Sequence, residues 1–282
     1  MKKKGKSDFT SINSPFSLKT QIEKDVLIVQ SFDPDNTANF DKSIHHIRRS
    51  LKAIHAVLLL YRRKINPLIF SNWENQLKVI SKQYGSLRDP YVFLQTFNEL
   101  ENKLKVFDNP DFIELRHLLE TKYNQNVKDN QDLPETLRHL NNLSLKLFEV
   151  IHFSDTTSTQ NSLKKEHLKT FQKTQKLFNK LRQTSSSENF HKCRKWARYL
   201  YLQEKALSRF KLEILQPKEI KRLHKLTGYL GNEHDLQVFN KYLKAHFYDL
   251  SGTLRPLVLL KIQKMRRKAL GLYPEIFSNN LT

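Results

Sequence analysis

Apolar residues recur every three or four positions along most of this chain. Ile47, Leu51, Ile54 and Leu58 form one such series, and at 100° per residue they gather on one side of a helix. The same periodicity predicts helices in "FSLKTQIEKDVLIVQSF", from about Thr37 to Lys64 behind the capping string "DNT", and from Pro67 to "KQYG". Gly85 is the expected stop of the third helix, since glycine commonly ends helices and proline commonly opens them. Another helix is expected after Asp89–Pro90, and more over 111–127, 133–151, 163–183, 188–211, 217–230, 234–248 and 254–270. The run "SDTTSTQNS" at 154–162 is polar and reads as a linker. No alternating strand pattern competes, so the expected class is all-α.

The pattern repeats. His45 and His191 are 146 residues apart, and so are Arg48 and Arg194, Lys52 and Arg198, Gly85 and Gly231, and Asp89 and Asp235. "YGSLRDPYVFL" therefore lies over "LGNEHDLQVFN" without a gap. Leu77 with Leu223, Ile80 with Leu226 and Phe93 with Phe239 keep the same offset. A constant offset over such a stretch indicates duplicated helical units. Two helical bundles are expected, 15–153 and 163–282, behind a loose basic tail at 1–14.

Composition narrows the class. The 282 residues include 6 Gly and 9 Pro, which favours long helices over turn-rich β structure. The single cysteine, Cys193, rules out a disulfide framework. The opening "MKKKGKSDFTSINSP" has no apolar run behind it and does not read as a secretory signal; "AVLLLY" and "PLVLL" are too short to span a bilayer. A cytoplasmic protein without membrane attachment is the expectation. Net charge is +21, which calls for an anionic partner.

That charge is unevenly spread. Residues 1–162 hold 23 Lys/Arg against 19 Asp/Glu; residues 163–282 hold 26 against 9. On the first basic helix His45, Arg48, Lys52 and His55 fall within an arc of about 80°, with Arg49 beside them. On the second, His191, Arg194, Arg198, Lys205 and Arg209 share a stripe, with Lys195 alongside. A basic wet face is ordinarily just solvated surface. Such faces normally mix signs, because like charges at i,i+4 repel. Here Lys42 to Lys64 carries seven Lys/Arg and no acid, and Asn189 to Gln203 carries four and no acid. Rows of unrelieved cations become tolerable when an anion sits between them. Lys221, His224 and Lys225 are candidates to extend such a site.

The strings "IHHIRRSLKAIH" and "FHKCRKWARYL", each followed by a "SLRD" or "LGNEHD" segment, resemble the CHAD domain, the conserved-histidine α-helical domain, over about residues 40–270. The resemblance implies two four-helix bundles related by a pseudo-twofold, with a basic central pore. It implies binding of inorganic polyphosphate without catalysis, often with targeting to polyphosphate granules. His45, Arg48, Lys52 and His55 match the first basic motif, and His191, Arg194, Lys195 and Arg198 the second. Tyr201 and Ala53 stand where the family usually carries further basic residues, which shortens the expected phosphate ladder. Asp89 and Asp235 match the turn motif, with helix capping or the holding of an arginine of the basic helix as their expected work. Family members are frequently fused to a triphosphate tunnel metalloenzyme domain, and nothing in this sequence matches one.

Polyphosphate offers oxygens and nothing to stack on, so its receptor needs Arg forks, Lys charges and His donors in rows. Three rival classes remain, one of them a generic helical scaffold that binds an acidic protein. Nucleic acid, RNA above all, would suit the charge and the aromatics Tyr84, Trp196, Tyr199 and Tyr201, but no base-reading motif is evident. A metal-dependent phosphohydrolase would need a carboxylate–His cluster, and the eleven His give only the fragments "HH" and "EHD". No metal or cofactor is expected.

Overall fold

The computed structural model describes residues 18–31, 40–105, 109–129, 142, 159–208, 211–247 and 251–277. All the regular structure among these residues is helical. The elements are α1 (Leu18–Gln30), α2 (Phe40–Leu60), α3 (Pro67–Leu104), α4 (Pro110–Lys128), α5 (Thr159–Gln183), α6 (Ser187–Leu207), α7 (Pro217–His246) and α8 (Ser251–Phe277). The expected tail at 1–14, the expected helix over 133–151, and Arg209 lie outside the described residues, apart from the single helical position 142. Helix α5 begins at Thr159, inside the stretch read as linker.

Local chemistry explains most helix starts. Asn66 caps α3, its side chain accepting from Leu68 N at 2.9 Å ahead of Pro67. Asn109 does the same for α4, accepting from Asp111 N ahead of Pro110. Ser186 opens α6 by accepting from Asn189 N, and Glu219 reaches back to accept from Gln216 N at the start of α7. Each such cap satisfies an orphan amide and contributes ~1 kcal/mol.

Two expected helix stops are absent. Helix α3 runs 38 residues straight past Gly85 and Pro90, and α7 runs 30 residues past Gly231. A mid-helix glycine costs about 1 kcal/mol and a proline about 3. Burial on both sides of each interruption outweighs that cost. Leu77, Ile80 and Tyr84 lie buried before Pro90 on α3, and Val92, Phe93, Phe97 and Leu100 after it; a fully buried side chain of this size stabilises by roughly 1.5–3 kcal/mol. Asp89 and Asp235 consequently sit in helix interiors and cap nothing.

Three clusters of buried apolar residues hold the helices together. The first joins α1, α2 and the first half of α3 to Tyr199, Ala206 and Leu207 of α6. The second joins α5, α6, the first half of α7 and the end of α8. The third combines the far halves of α3 and α7 with α4 and α8, where Phe93 meets Phe239 at 5.9 Å and stacks on Tyr242 at 4.6 Å. Helix α2 packs directly against α6. No described helix is long and apolar enough to cross a membrane.

Candidate anion site between α2 and α6

Helix α2 turns Ile44, Ile47, Leu51, Ile54 and Leu58 into the first core, and α6 turns Phe190, Cys193, Ala197 and Leu200 into the second. Their basic stripes are thereby directed toward each other and toward α3 and α7. One cavity, about 420 Å³, is walled by His45, Arg48, Arg49 and Lys52 of α2, Arg88 of α3, and Arg194, Arg198 and Tyr201 of α6. Helix α7 closes it with His224, Thr227, Gly228, Gly231, Asn232 and Asp235. A second cavity, about 460 Å³, is walled by Lys52, His55, Lys78, Lys82, His191, Arg194, Lys195 and Arg198, among others. Lys52, Arg194 and Arg198 belong to both.

Residues 146 apart exchange cavities. His45, Arg48, Arg49, Tyr201 and His224 line the first; His191, Arg194, Lys195, His55 and Lys78, their counterparts at that offset, line the second. Opposite Lys82 in this scheme is Gly228, so the second cavity is the more cationic at that position.

The cations are crowded. Burial, reinforced by Arg198, Arg194, Arg48 and Arg88, pushes the Lys52 amine down to about 6. Burial pushes Arg198 down to about 10, with Arg194 and Arg88 adding to the fall and Asp235 opposing it. Arg48 and Arg194 are lowered too, chiefly by burial. Desolvation, then neighbouring cations, lowers His45 and His191. Against Arg48, Lys52, Arg88, Arg194 and Arg198 stand the carboxylates of Asp89 and Asp235. Asp235 holds Arg88 at 3.3 Å, and burial raises Asp89 despite the nearby Arg48. The cluster stays strongly positive.

Two donors in it lack acceptors. Arg48 Nη1 donates to the Ser81 carbonyl at 3.0 Å, but Arg48 Nε is buried with no hydrogen-bond partner among the described residues. Arg194 Nε, at the equivalent position on α6, is buried and unpartnered in the same way. A buried N–H left unmade costs about 1–3 kcal/mol, more when charged. Two such donors on facing helices are what an oxyanion satisfies.

The remaining expected residues fall in different places. His55 is buried; its Nδ1 is hydrogen-bonded with the Tyr199 hydroxyl at 3.0 Å and its Nε2 lies 3.5 Å from Glu74. Burial drives its titration down, so it walls the second cavity as a neutral ring. Lys221 is exposed, one turn before His224, and lines neither cavity. Lys225 points elsewhere and lies 5.9 Å over the Tyr229 ring. His224 reaches the first cavity and stacks on Tyr201 at 4.8 Å. Lys205 lies on neither cavity wall.

Two residues escaped the sequence reading. Arg88 stands inside the quoted "SLRD" and faces the cluster from α3. Its counterpart at the 146-residue offset is His234, whose ring meets His191 at 5.2 Å and whose titration is pushed down by burial and Arg194. The offset was the signal that pointed to both. Among the described residues no group of three or more His, Cys, Asp or Glu is arranged to hold a metal ion.

Comparison with known proteins adds the family. The family model for the CHAD domain matches residues 21–244. The crystal structure of the CHAD domain from the plant Ricinus communis is similar over 93% of this chain and 88% of that one, with a TM-score of 0.65 and 16% sequence identity. At that identity the likeness is one of fold. Among curated proteins, none matches this sequence.

Proposed function

The chain belongs to the CHAD domain family, and we propose that it binds inorganic polyphosphate, without hydrolysing it, in the paired cavities between α2 and α6. The carrying observation is the matched pair of buried, unpartnered Arg48 Nε and Arg194 Nε donors amid cations that repel one another. A phosphate chain relieves both problems together: its oxygens accept from the guanidinium groups and its charge offsets the repulsion. Lys52, Arg194 and Arg198 line both cavities, so a polymer is favoured over a small anion. Such a ligand passes these shared side chains and engages His45, Arg49, His191 and Lys195 on either side as a basic pore. The residues do what an anion receptor needs: arginines fork onto phosphate oxygens, and lysines supply point charge.

Nucleic acid fits less well. Tyr84 and Tyr199 are core residues, at 0% and 7% exposure, and offer no stacking platform. The reading carries with it a cytoplasmic protein associated with polyphosphate granules.

The test is titration with polyphosphates of graded length at two salt concentrations. Arg48→Gln plus Arg194→Gln should abolish most binding while the circular dichroism spectrum is unchanged. Lys195→Glu, on an exposed position, should weaken binding and flatten its salt dependence, as counterion release requires by analogy with nucleic acids. RNA that outcompetes long-chain polyphosphate at equal charge would overturn the reading. Phosphate release in the presence of Mg²⁺ or Mn²⁺ would overturn its non-catalytic part.

A further inference from the structure

A third cavity, about 370 Å³, lies between α1, α2 and α6, outside the cation cluster. Its chemistry is different. The wall includes Ile28, Ala53, Val57, Leu202 and Ala206, an apolar surface of a kind the first cavity lacks apart from Leu202. Over that surface stand Lys24 from α1, His46 and Arg49 from α2, and Lys205 from α6. The acid in the wall, Asp25, accepts from Ser50 Oγ at 3.1 Å and is buried. The basic groups are exposed at the rim, while Val57 and Ala206 are buried in the floor.

A purely inorganic anion would use the rim and leave the floor wet. A purely apolar ligand would use the floor and leave four basic groups idle. We propose that this cavity is a separate site for an organic phosphate, whose ring or hydrocarbon body lies on the apolar floor and whose phosphate or diphosphate group sits against Lys24, His46, Arg49 and Lys205. The volume is at the small end of that typical for ligand pockets, and an apolar wall with a few convergent polar groups is their usual construction. Arg49 lines this cavity and the first one alike. An organic phosphate here and a polyphosphate there draw on the same guanidinium, so each weakens the other. Nucleoside diphosphates and prenyl diphosphates both have this chemistry.

Calorimetric titration of the full chain with ADP, geranyl diphosphate and inorganic pyrophosphate tests the site. At least one organic diphosphate should bind tenfold or more tightly than pyrophosphate, and which one does so identifies the body. Lys205→Glu should reduce that binding at least tenfold and leave long-chain polyphosphate binding intact, because Lys205 does not line the polyphosphate cavities. Ala53→Trp, which fills the floor, should abolish it; if that variant fails to fold, the exposed Lys205 change decides alone. Pyrophosphate binding as tightly as both organic ligands would overturn the proposal, as would indifference to Lys205→Glu. A native chain that binds an organic diphosphate in this way but fails to bind long-chain polyphosphate would keep this site and remove the other.

Discussion

Arg48 Nη1 donates to the carbonyl of Ser81 at 3.0 Å, and a Cβ built on Gly85 would lie 3.0 Å from the same nitrogen. The glycine in the middle of α3 is there for the arginine of α2. Without a side chain at 85, the guanidinium reaches the helix with Nη1 foremost and is fixed there by the carbonyl one turn away. Gly85→Ala should therefore separate two effects. Helix propensity gains up to ~1 kcal/mol, so the melting temperature should hold or rise. Displacing Arg48 by a few tenths of an ångström should weaken polyphosphate binding several-fold, as read by titration beside a thermal melt.

Lys52 gives the site a proton linkage. Its folded value of about 6 lies below the 10.5 of an unperturbed lysine, because of burial and the four arginines around it. The empty folded state thus binds fewer protons than the unfolded chain between those values. This group makes stability rise with pH across that window, and its cost is fully present below about 6. A polyanion favours the charged amine, so binding near pH 7.5 should take up protons and weaken as pH rises. His45 and His191, both lowered, add to uptake closer to pH 6. Calorimetry in buffers of different ionisation enthalpy should give a smaller proton uptake for Lys52→Met than for the native chain. Equal uptake in the two proteins would exclude Lys52 as its source.

Arg198→Gln should stabilise the fold and damage binding together. The side chain is held among Arg194, Arg88 and Lys52, and relieving one repelling charge at such range is worth on the order of 1 kcal/mol. For a chain of this size that amounts to roughly 2–4 °C in melting temperature. Affinity for long-chain polyphosphate should fall at least tenfold. A variant that melts lower and binds normally would contradict this account of the cluster.

Asp235→Asn should move the two quantities the other way. Asp235 holds Arg88 at 3.3 Å and lies close enough to Arg48, Arg194 and Arg198 to oppose the lowering of all three. Without its charge the empty site repels itself more, and the melt should fall by a few degrees. The potential offered to an anion rises, so polyphosphate should bind more tightly, most visibly at low salt.

The sequence made the basic stripes and the helical class legible, because a 3.6-residue period and a missing acid are both local properties. It also carried the 146-residue offset that pairs the walls of the two cavities. The helix stops at Gly85 and Gly231 were misread for a physical reason. A glycine or proline weakens a helix locally, but Phe93, Phe97, Phe239 and Leu243 beyond those points are buried in a core that only the folded chain assembles. Lys221 and Lys225 lie outside both cavity walls; charge density does not reveal where a cavity ends along α7. His55 looked like a cation because its buried hydroxyl partner, Tyr199, comes from the other basic helix.

The third apolar cluster takes Phe93, Phe97 and Leu100 from α3 and Leu236, Phe239 and Leu243 from α7, so it is owned jointly. Severing the chain at the Ser/Thr-rich stretch would strip each fragment of half that cluster and open greasy surface on both. The fragments would be sticky alone and complementary when mixed, and the intact molecule would come apart in one step rather than half by half.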